Sequence, residues 1–256
     1  MSKIIAIHSF RGGTGKSNIS ANLAALVAAS GHRVGIIDTD IQSPGVHVIF
    51  AFNQDDMKYA LNDFLWGNCQ IEEAAYDVTA TTRGIAQPDG DSGRLYLIPS
   101  SVKTGEIARV LRDGYDVGLL NDGIQRLVRE LKLDYLVIDT HPGVNEETLL
   151  SIAICDRFLL IMRPDNQDFQ GTAVTVELAR RLEVQDMQLI VNKVPQGMER
   201  EMLKGQIESI YQVPVIGMLP LNSEMAGLGS RELFTAHYPD HPISRELQTI
   251  ARRVMA

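Results

Sequence analysis

The sequence predicts an α/β fold in which a doubly wound, mostly parallel sheet carries helices on both faces. Short apolar runs alternate with longer segments of helical period, which is the pattern of repeated strand and helix units. The strand runs are almost continuously apolar, as expected for strands that are buried on both sides. A chain of 256 residues suits one domain of this class better than two small ones, so residues 1–256 are expected to form a single domain.

The predicted strands are the apolar runs at residues 4–8, 34–38, 95–99, 135–139, 158–162, 189–192 and 213–218. Residues 17–30 carry alanine and leucine at helical spacing, and Gly31 is placed to end this helix. Residues 57–65 and 124–131 also repeat apolar residues at helical spacing, which predicts two further helices. From residue 77 to 93 the chain is polar and rich in Gly, Thr and Asp, which predicts a mobile surface excursion.

Composition narrows the classes of function. The 24 basic and 32 acidic residues give a net charge of −8, which argues against a surface built wholly to coat nucleic acid but leaves room for a local basic face. Cys69 and Cys155 lie far apart and outside any CxxC pair, so neither a disulfide scaffold nor a self-contained zinc site is indicated. No signal peptide and no apolar run of about 18 residues is found, so we expect a soluble, cytoplasmic protein.

A glycine-rich loop connects the first predicted strand to the first predicted helix. Residues 11–17 read RGGTGKS, and the glycines let backbone N–H groups converge on phosphate oxygens beside the favourable dipole of a helix N-terminus. Lys16 is expected to neutralise phosphate charge, and Ser17 to offer its hydroxyl to Mg²⁺. The predicted phosphate-binding residues are Gly12, Gly13, Thr14, Gly15, Lys16, Ser17 and Asn18.

Carboxylates end two of the predicted strands. Asp38 and Asp40 close the second strand, where alternation along the chain places both near the mouth of the sheet that holds the glycine loop. Asp139 ends the strand 135–139 and is followed by Thr-His-Pro-Gly. A neutral side chain would serve equally well at position 141, so no catalytic part is expected for His141.

These motifs resemble those of the ParA/MinD family of P-loop ATPases, in the same order and over essentially the whole chain. Residues 11–17 resemble its deviant Walker A loop, KGGxGK[ST], residues 38–45 its switch I, and residues 139–143 its Walker B strand end and switch II. The ordinary Walker A pattern fails because Phe10 stands where it needs glycine. The phrases HSFRGGTGKSN and DTDIQSPGVHVIF are further similar to cyanobacterial ParA-type proteins, including an ATPase that positions carboxysomes.

The resemblance implies a set of roles at the phosphates. Arg11, Lys16 and Asp40 are expected to be catalytic, with Asp40 orienting the attacking water. Asp38 and Asp139 are expected to join Ser17 in the Mg²⁺ shell. The backbone N–H of Gly143 is expected to sense the γ-phosphate.

The resemblance also implies residues for the base and for a partner subunit. Asn192 is expected to bind the adenine, with the loop that begins at Pro220 on the other side of the ring. Arg11 replaces the signature lysine that reaches across a dimer to the partner's nucleotide, and its planar fork of donors suits phosphate. A purely structural Arg11 that pairs with carboxylates of its own domain remains the alternative.

The cycle implied by the family is a homodimer that closes around ATP, binds a surface, and is released when an adaptor protein stimulates slow hydrolysis. The apolar stripe of Ile243, Leu247 and Ile250 is typical of a helix docked on the core, so no membrane-targeting helix is evident. Non-specific DNA on the nucleoid is the expected surface. The candidate cations are Arg180, Arg181, Lys193, Arg200, Lys204, Arg245, Arg252 and Arg253.

Two alternatives stay open on the same fold. One is a MinD-like or protein-partner-gated regulatory ATPase that binds no DNA. The other is an ATP-driven metallochaperone or ligase. Iron-protein relatives on this fold need cysteines that bind the cluster. Cys69 and Cys155 fit buried packing better, because a free cysteine behaves as a small hydrophobe.

Overall fold

The computed structural model describes residues 2–85 and 93–256, and in these ranges eight strands form one sheet. The strands are β1 (Lys3–His8), β2 (Arg33–Asp38), β3 (Tyr76–Asp77), β4 (Arg94–Ile98), β5 (Tyr135–Asp139), β6 (Arg157–Met162), β7 (Met187–Val194) and β8 (Val215–Pro220). Their order across the sheet is β3-β4-β2-β5-β1-β6-β7-β8. All neighbours are parallel except β3 and β4, so the predicted doubly wound, mostly parallel fold is confirmed.

Helices connect the strands and cover both faces of the sheet. They are α1 (Lys16–Ala29), α2 (Val46–Ile49), α3 (Leu61–Leu65), α4 (Thr104–Asp113), α5 (Val117–Glu130), α6 (Glu146–Ile154), α7 (Asn166–Arg181), α8 (Arg200–Tyr211), α9 (Ser223–Leu228), α10 (Phe234–His237) and α11 (Pro242–Met255). One face packs on α1 and α11, and the other on α3, α5, α7 and α8.

The side-chain alternation of β1 shows why this strand lies at the centre. Ile5 and Ile7 pack toward α1, whereas Ile4 and Ala6 face the opposite layer, and all four are buried. A strand that is apolar on both faces is stable only between two helical layers. Because β1 lies between β5 and β6, the loop after it meets the carboxyl ends of strands from both halves of the sheet.

Two helix predictions are confirmed by packing. Helix α1 ends at Ala29, and Gly31 follows it with a left-handed φ of +95°, as expected of a residue that stops a helix. The stripe of Ile243, Leu247 and Ile250 on α11 is buried against α1 and β8, so this helix docks on the core as predicted.

Two predictions of local structure are wrong. The helix predicted over 57–65 is only the five-residue α3, because Leu61 N donates to Pro99 O and Asp63 accepts from Ala60 N, which fixes the chain just before Leu61. The surface excursion predicted over 77–93 begins with β3 and continues as the 3₁₀ turn Thr79–Thr82. Val78 and Ile85 beside this turn are buried against the α1 layer, and residues 86–92 lie outside the described ranges.

Two helical glycines offer a matched test of this packing. A Cβ at Gly123 of α5 would lie 2.4 Å from Phe64 Cε1, whereas a Cβ at Gly205 of α8 would meet nothing within 4 Å. We expect Gly205→Ala to raise the free energy of unfolding by about 0.5–1 kcal/mol, because alanine loses less backbone entropy. We expect Gly123→Ala to lower it by about 1–3 kcal/mol through overpacking. Urea unfolding of both variants checks this, and equal shifts would contradict the close approach of α5 to α3.

Candidate functional site

The glycine loop, residues 9–16, runs from the end of β1 to the first residue of α1. Gly13 and Gly15 have left-handed φ values of +76° and +90°. A Cβ at Gly15 would lie 2.4 Å from Asn192 Nδ2, so both backbone conformation and space require glycine there. Gly12 and Gly13 have open space where a Cβ would stand, which leaves their backbone accessible. The loop therefore has the context of strand, turn and helix that a phosphate-binding loop needs.

A buried polar cluster joins this loop to the end of β5. Lys16 Nζ lies 2.8 Å from Asp139 Oδ2, and Ser17 Oγ donates to the same oxygen at 2.7 Å. Ser20 Oγ donates to the other oxygen, Oδ1, also at 2.7 Å. Lys16 is 6% exposed and Asp139 fully buried, so water does little to screen this ion pair.

A second carboxylate lies beside the first. Asp38 is the register partner of Asp139 in the parallel pair of β2 and β5, and both are fully buried. Burial, followed by the charge of Asp139, raises the pKa of Asp38 to about 7. Asp38 also accepts backbone N–H groups of Asp40, Gly45 and Val46, so it shapes switch I directly. Its part in the Mg²⁺ shell stays a prediction.

The oxygen ligands and N–H donors of this site fit Mg²⁺ and a nucleoside triphosphate. Carboxylate oxygens of Asp38 and Asp139 and the hydroxyl of Ser17 are the hard ligands that Mg²⁺ prefers. Lys16 and the open backbone of the glycine loop supply positive charge and N–H donors for phosphate. When bound, Mg²⁺ would neutralise phosphate charge, and Lys16 and the backbone of the glycine loop would hold the phosphates in place.

Switch I and switch II contact each other above the glycine loop. His141 Nδ1 lies 2.6 Å from Asp40 Oδ1. Because a carboxylate only accepts hydrogen bonds, this ring nitrogen is the donor. Gly143, with φ of +85°, donates its N–H to Ser9 O at 3.3 Å and so joins switch II to the glycine loop. The predicted contact of Gly143 with a γ-phosphate stays a prediction.

Arg11 lies at the rim of the loop with 39% of its side chain exposed. Its Nη1 is 3.7 Å from Asp165 Oδ1 and 3.6 Å from Asp168 Oδ1, beyond the usual length of a hydrogen bond. Arg163 holds Asp168 more closely, with Nε–Oδ2 and Nη2–Oδ1 distances of 3.0 and 3.1 Å. Arg11 is thus loosely paired within its own chain, as the structural alternative expects, and its action in a dimer stays a prediction.

The predicted base site is a cavity of about 240 Å³ next to the glycine loop. Asn192 and Pro220 both line it, together with Asn18. The amide of Asn192 is already engaged, since Nδ2 donates to Thr14 O at 2.7 Å and Oδ1 accepts from Lys193 N at 2.9 Å. Asn192 therefore supports the loop from β7, and its contact with adenine stays a prediction.

Three hydrogen bonds at this site were not predicted from the sequence. Ser20 lies one helical turn after Lys16, and this spacing could have suggested that it shares the face toward Asp139. Lys193 donates from Nζ to Gly13 O at 2.7 Å, and its predicted contact with DNA stays a prediction. His8 is fully buried at the end of β1, with Nδ1 2.7 Å from Thr140 Oγ1.

The other predicted DNA contacts do not gather on one face. Arg245, Arg252 and Arg253 belong to α11, on the same side of the sheet as α1. The remaining cations of the set belong to α7 and α8 on the opposite side. Arg180, Arg200 and Arg253 donate to backbone carbonyls of their own chain, and Arg181 pairs with Glu177.

The fold and this site define a P-loop nucleotide-binding protein. The family model described as the CobQ/CobB/MinD/ParA nucleotide binding domain matches residues 5–235, and the chain belongs to this family. It is accordingly an ATPase whose cofactors are ATP and Mg²⁺.

Individual relatives cover nearly the whole chain. It is 28% identical to an uncharacterized ATP-binding protein of Methanocaldococcus jannaschii, over 100% of this chain and 88% of the relative. It is 24% identical to a cytosolic Fe-S cluster assembly factor of Culex quinquefasciatus, over 99% and 97% of the two chains. The septum site-determining protein MinD of Pyrococcus horikoshii, solved with Mg-ADP, superposes with a TM-score of 0.79 at 20% identity, over 99% and 96%. Within residues 2–85 and 93–256, no helix is long and apolar enough to cross a membrane.

His8 gives this site a predicted dependence of stability on pH. Burial, followed by the charges of Lys16 and His141, lowers the pKa of His8 to about 3. The unfolded chain takes up a proton near pH 6.5 and the folded chain does not, so stability falls as the pH falls through this window. Between pH 7 and pH 5 the wild type should lose about 2 kcal/mol more than His8→Asn, in which this group does not titrate.

Urea unfolding of both nucleotide-free proteins at pH 7, 6 and 5 measures the difference. Asp38 and all other titrating groups are shared by the two proteins, so their contributions cancel. Parallel pH profiles for the two proteins would show that folding leaves the pKa of His8 unchanged.

Proposed function

We propose that the protein is a ParA/MinD-type switch ATPase that positions or partitions an intracellular cargo, such as a plasmid, a chromosome or a protein organelle like the carboxysome. The observation that carries the proposal is the contact among the three loops of the site. Asp139 binds the glycine loop through Lys16, and Asp40 binds switch II through His141. A change at the phosphates must therefore alter both switches, which is what a nucleotide-gated device requires.

In this proposal, ATP closes a homodimer with nucleotide between the subunits, and an adaptor protein stimulates slow hydrolysis. Arg11 supports the dimer because its half-exposed guanidinium lies at the rim of the loop and is held only by long ion pairs. Asp40 is proposed to orient the attacking water, a role that depends on position more than on covalent chemistry.

Non-specific binding to nucleoid DNA is the proposed readout of the dimer. Arg245 and Arg252 of α11 support it: both are exposed, and neither forms a salt bridge among the described residues. They lie seven residues apart, nearly two helical turns, so they share one face of α11. Two such faces in a dimer would give an affinity that falls steeply with salt.

Carriage of an iron–sulfur cluster is the weaker candidate, although three similar proteins are a cluster assembly factor and two cluster carrier proteins. Cys69 and Cys155 pack in apolar clusters. Burial raises the pKa of Cys69 to about 11 and that of Cys155 to about 12, whereas metal ligation needs the thiolate. No third candidate ligand groups with them among the described residues.

The dimer is tested with Asp40→Ala. This variant should bind Mg-ATP but hydrolyse it at least about 100-fold more slowly, because no carboxylate positions the water. It should therefore sediment as a dimer with Mg-ATP and as a monomer without nucleotide. Arg11→Ala in the same background should remain monomeric, as should Lys16→Ala. A monomeric Asp40→Ala protein with bound ATP would rule out the nucleotide-sandwich dimer.

DNA binding is tested with the Asp40→Ala dimer formed in Mg-ATP. Retardation of arbitrary DNA duplexes by this dimer is measured on gels at two salt concentrations. Arg245→Gln/Arg252→Gln should weaken binding and reduce the slope of log K against log salt by up to about 0.9 for each phosphate that is no longer neutralised. Arg181→Gln/Lys204→Gln removes the same charge from the opposite side of the sheet and should bind like the parent. Dimers that retard no DNA would favour a regulator gated by a protein partner.

A further inference from the structure

His141 and Asp40 form the contact that joins the two switches. His141 Nδ1 is 2.6 Å from Asp40 Oδ1, and the side chains are 23% and 12% exposed. Ser43 N donates to the same oxygen at 3.1 Å. Asp40 Oδ2 accepts no hydrogen bond from the described residues, so one oxygen of the carboxylate is fixed while the other stays available.

The backbone around His141 is itself held in place. Its carbonyl oxygen accepts from Thr148 Oγ1 of α6 at 3.3 Å. The preceding residue, Thr140, is fully buried and bonded to His8 at the end of β1. Two residues further on, Gly143 N donates to Ser9 O of the glycine loop. The imidazole therefore projects from a segment that is fixed on three sides and reaches Asp40 from a defined direction.

We propose that His141 is a positioning residue for ATP hydrolysis, which orients the carboxylate of Asp40 through the Nδ1–Oδ1 hydrogen bond. The inference rests on the role of Asp40 given under the proposed function. A carboxylate with two free torsions orients a water poorly, and a fixed donor on one of its oxygens removes that freedom. Asp40 belongs to switch I and His141 to switch II. The hydrogen bond therefore forms only when both switches are in the positions that the structure shows.

The proposal predicts a split between catalysis and binding. His141→Ala should lower kcat for Mg-ATP hydrolysis roughly 10- to 100-fold, because the longer bond from Ser43 N is then the one described contact that holds Oδ1 of Asp40. Its KM and its affinity for ATP should stay within about twofold of the parent, because uniform binding of the nucleotide is not altered. Phosphate release and fluorescence titration with a labelled ATP analogue measure the two quantities.

Two amide variants separate positioning from a direct role of the ring. His141→Asn places an amide nitrogen at the Nδ1 position, since both atoms are bonded to Cγ, and should restore kcat to within about threefold of the parent. His141→Gln places its nitrogen one bond further out, near Nε2, and should remain as slow as His141→Ala. Rescue by Gln and not by Asn would overturn the proposal in favour of a role for Nε2.

A double-mutant cycle with Asp40 decides whether His141 acts through that carboxylate. If it does, Asp40→Ala/His141→Ala should be no slower than Asp40→Ala alone. A double variant whose loss of kcat equals the product of the two single losses would overturn the inference. An unchanged kcat, or a loss of nucleotide affinity, in all three His141 variants would also overturn it. An unimpaired Asp40→Ala single variant would instead refute the proposed role of Asp40, which separates the two failures.

Discussion

The buried ion pair between Lys16 and Asp139 is the interaction on which the rest of the site depends. The glycine loop and β5 lie more than 100 residues apart in the chain, and this contact joins them at 2.8 Å with almost no exposure to water. Removing one partner of such a pair costs about 3–5 kcal/mol, because the other charge stays buried without compensation. Ser17 and Ser20 also donate to the carboxylate of Asp139 and so fix the first turn of α1 against β5.

The buried carboxylate of Asp38 and its neighbouring charges explain how switch I is organised. Asp38 and Asp139 are register partners on adjacent strands; burial, followed by the charge of Asp139, raises the pKa of Asp38, and the charge of Lys16 opposes this rise. The backbone N–H groups of Asp40 and Gly45 in switch I, and of Val46 at the start of α2, donate to Asp38 and stabilise its ionised form. Asp40 then meets His141, and Gly143 meets Ser9. The glycine loop and both switches thus form one hydrogen-bonded unit.

Sequence reasoning succeeded where a single local rule decides the structure and failed where distant packing does. Seven of the eight described strands, all but β3, were predicted because burial on both faces demands apolar runs, and Gly31 was predicted because a helix stop favours left-handed φ. The helix over 57–65 was wrong because a hydrogen bond to Pro99 O, some 40 residues away, replaced helical periodicity. The excursion after residue 77 looked polar, yet Val78 and Ile85 are buried beneath α1.

The sequence by itself determined the site's position and donor types. Parallel strands bring their carboxyl ends together, so acids that end β2 and β5 had to lie beside the loop that follows β1. Only the tertiary structure decided which donor meets which acceptor. His141 with Asp40 and Lys193 with Gly13 O are pairs separated by 101 and 180 residues. The reason is physical: strand and helix patterns follow from neighbours along the chain, whereas a polar side chain's partner depends on which elements pack around it.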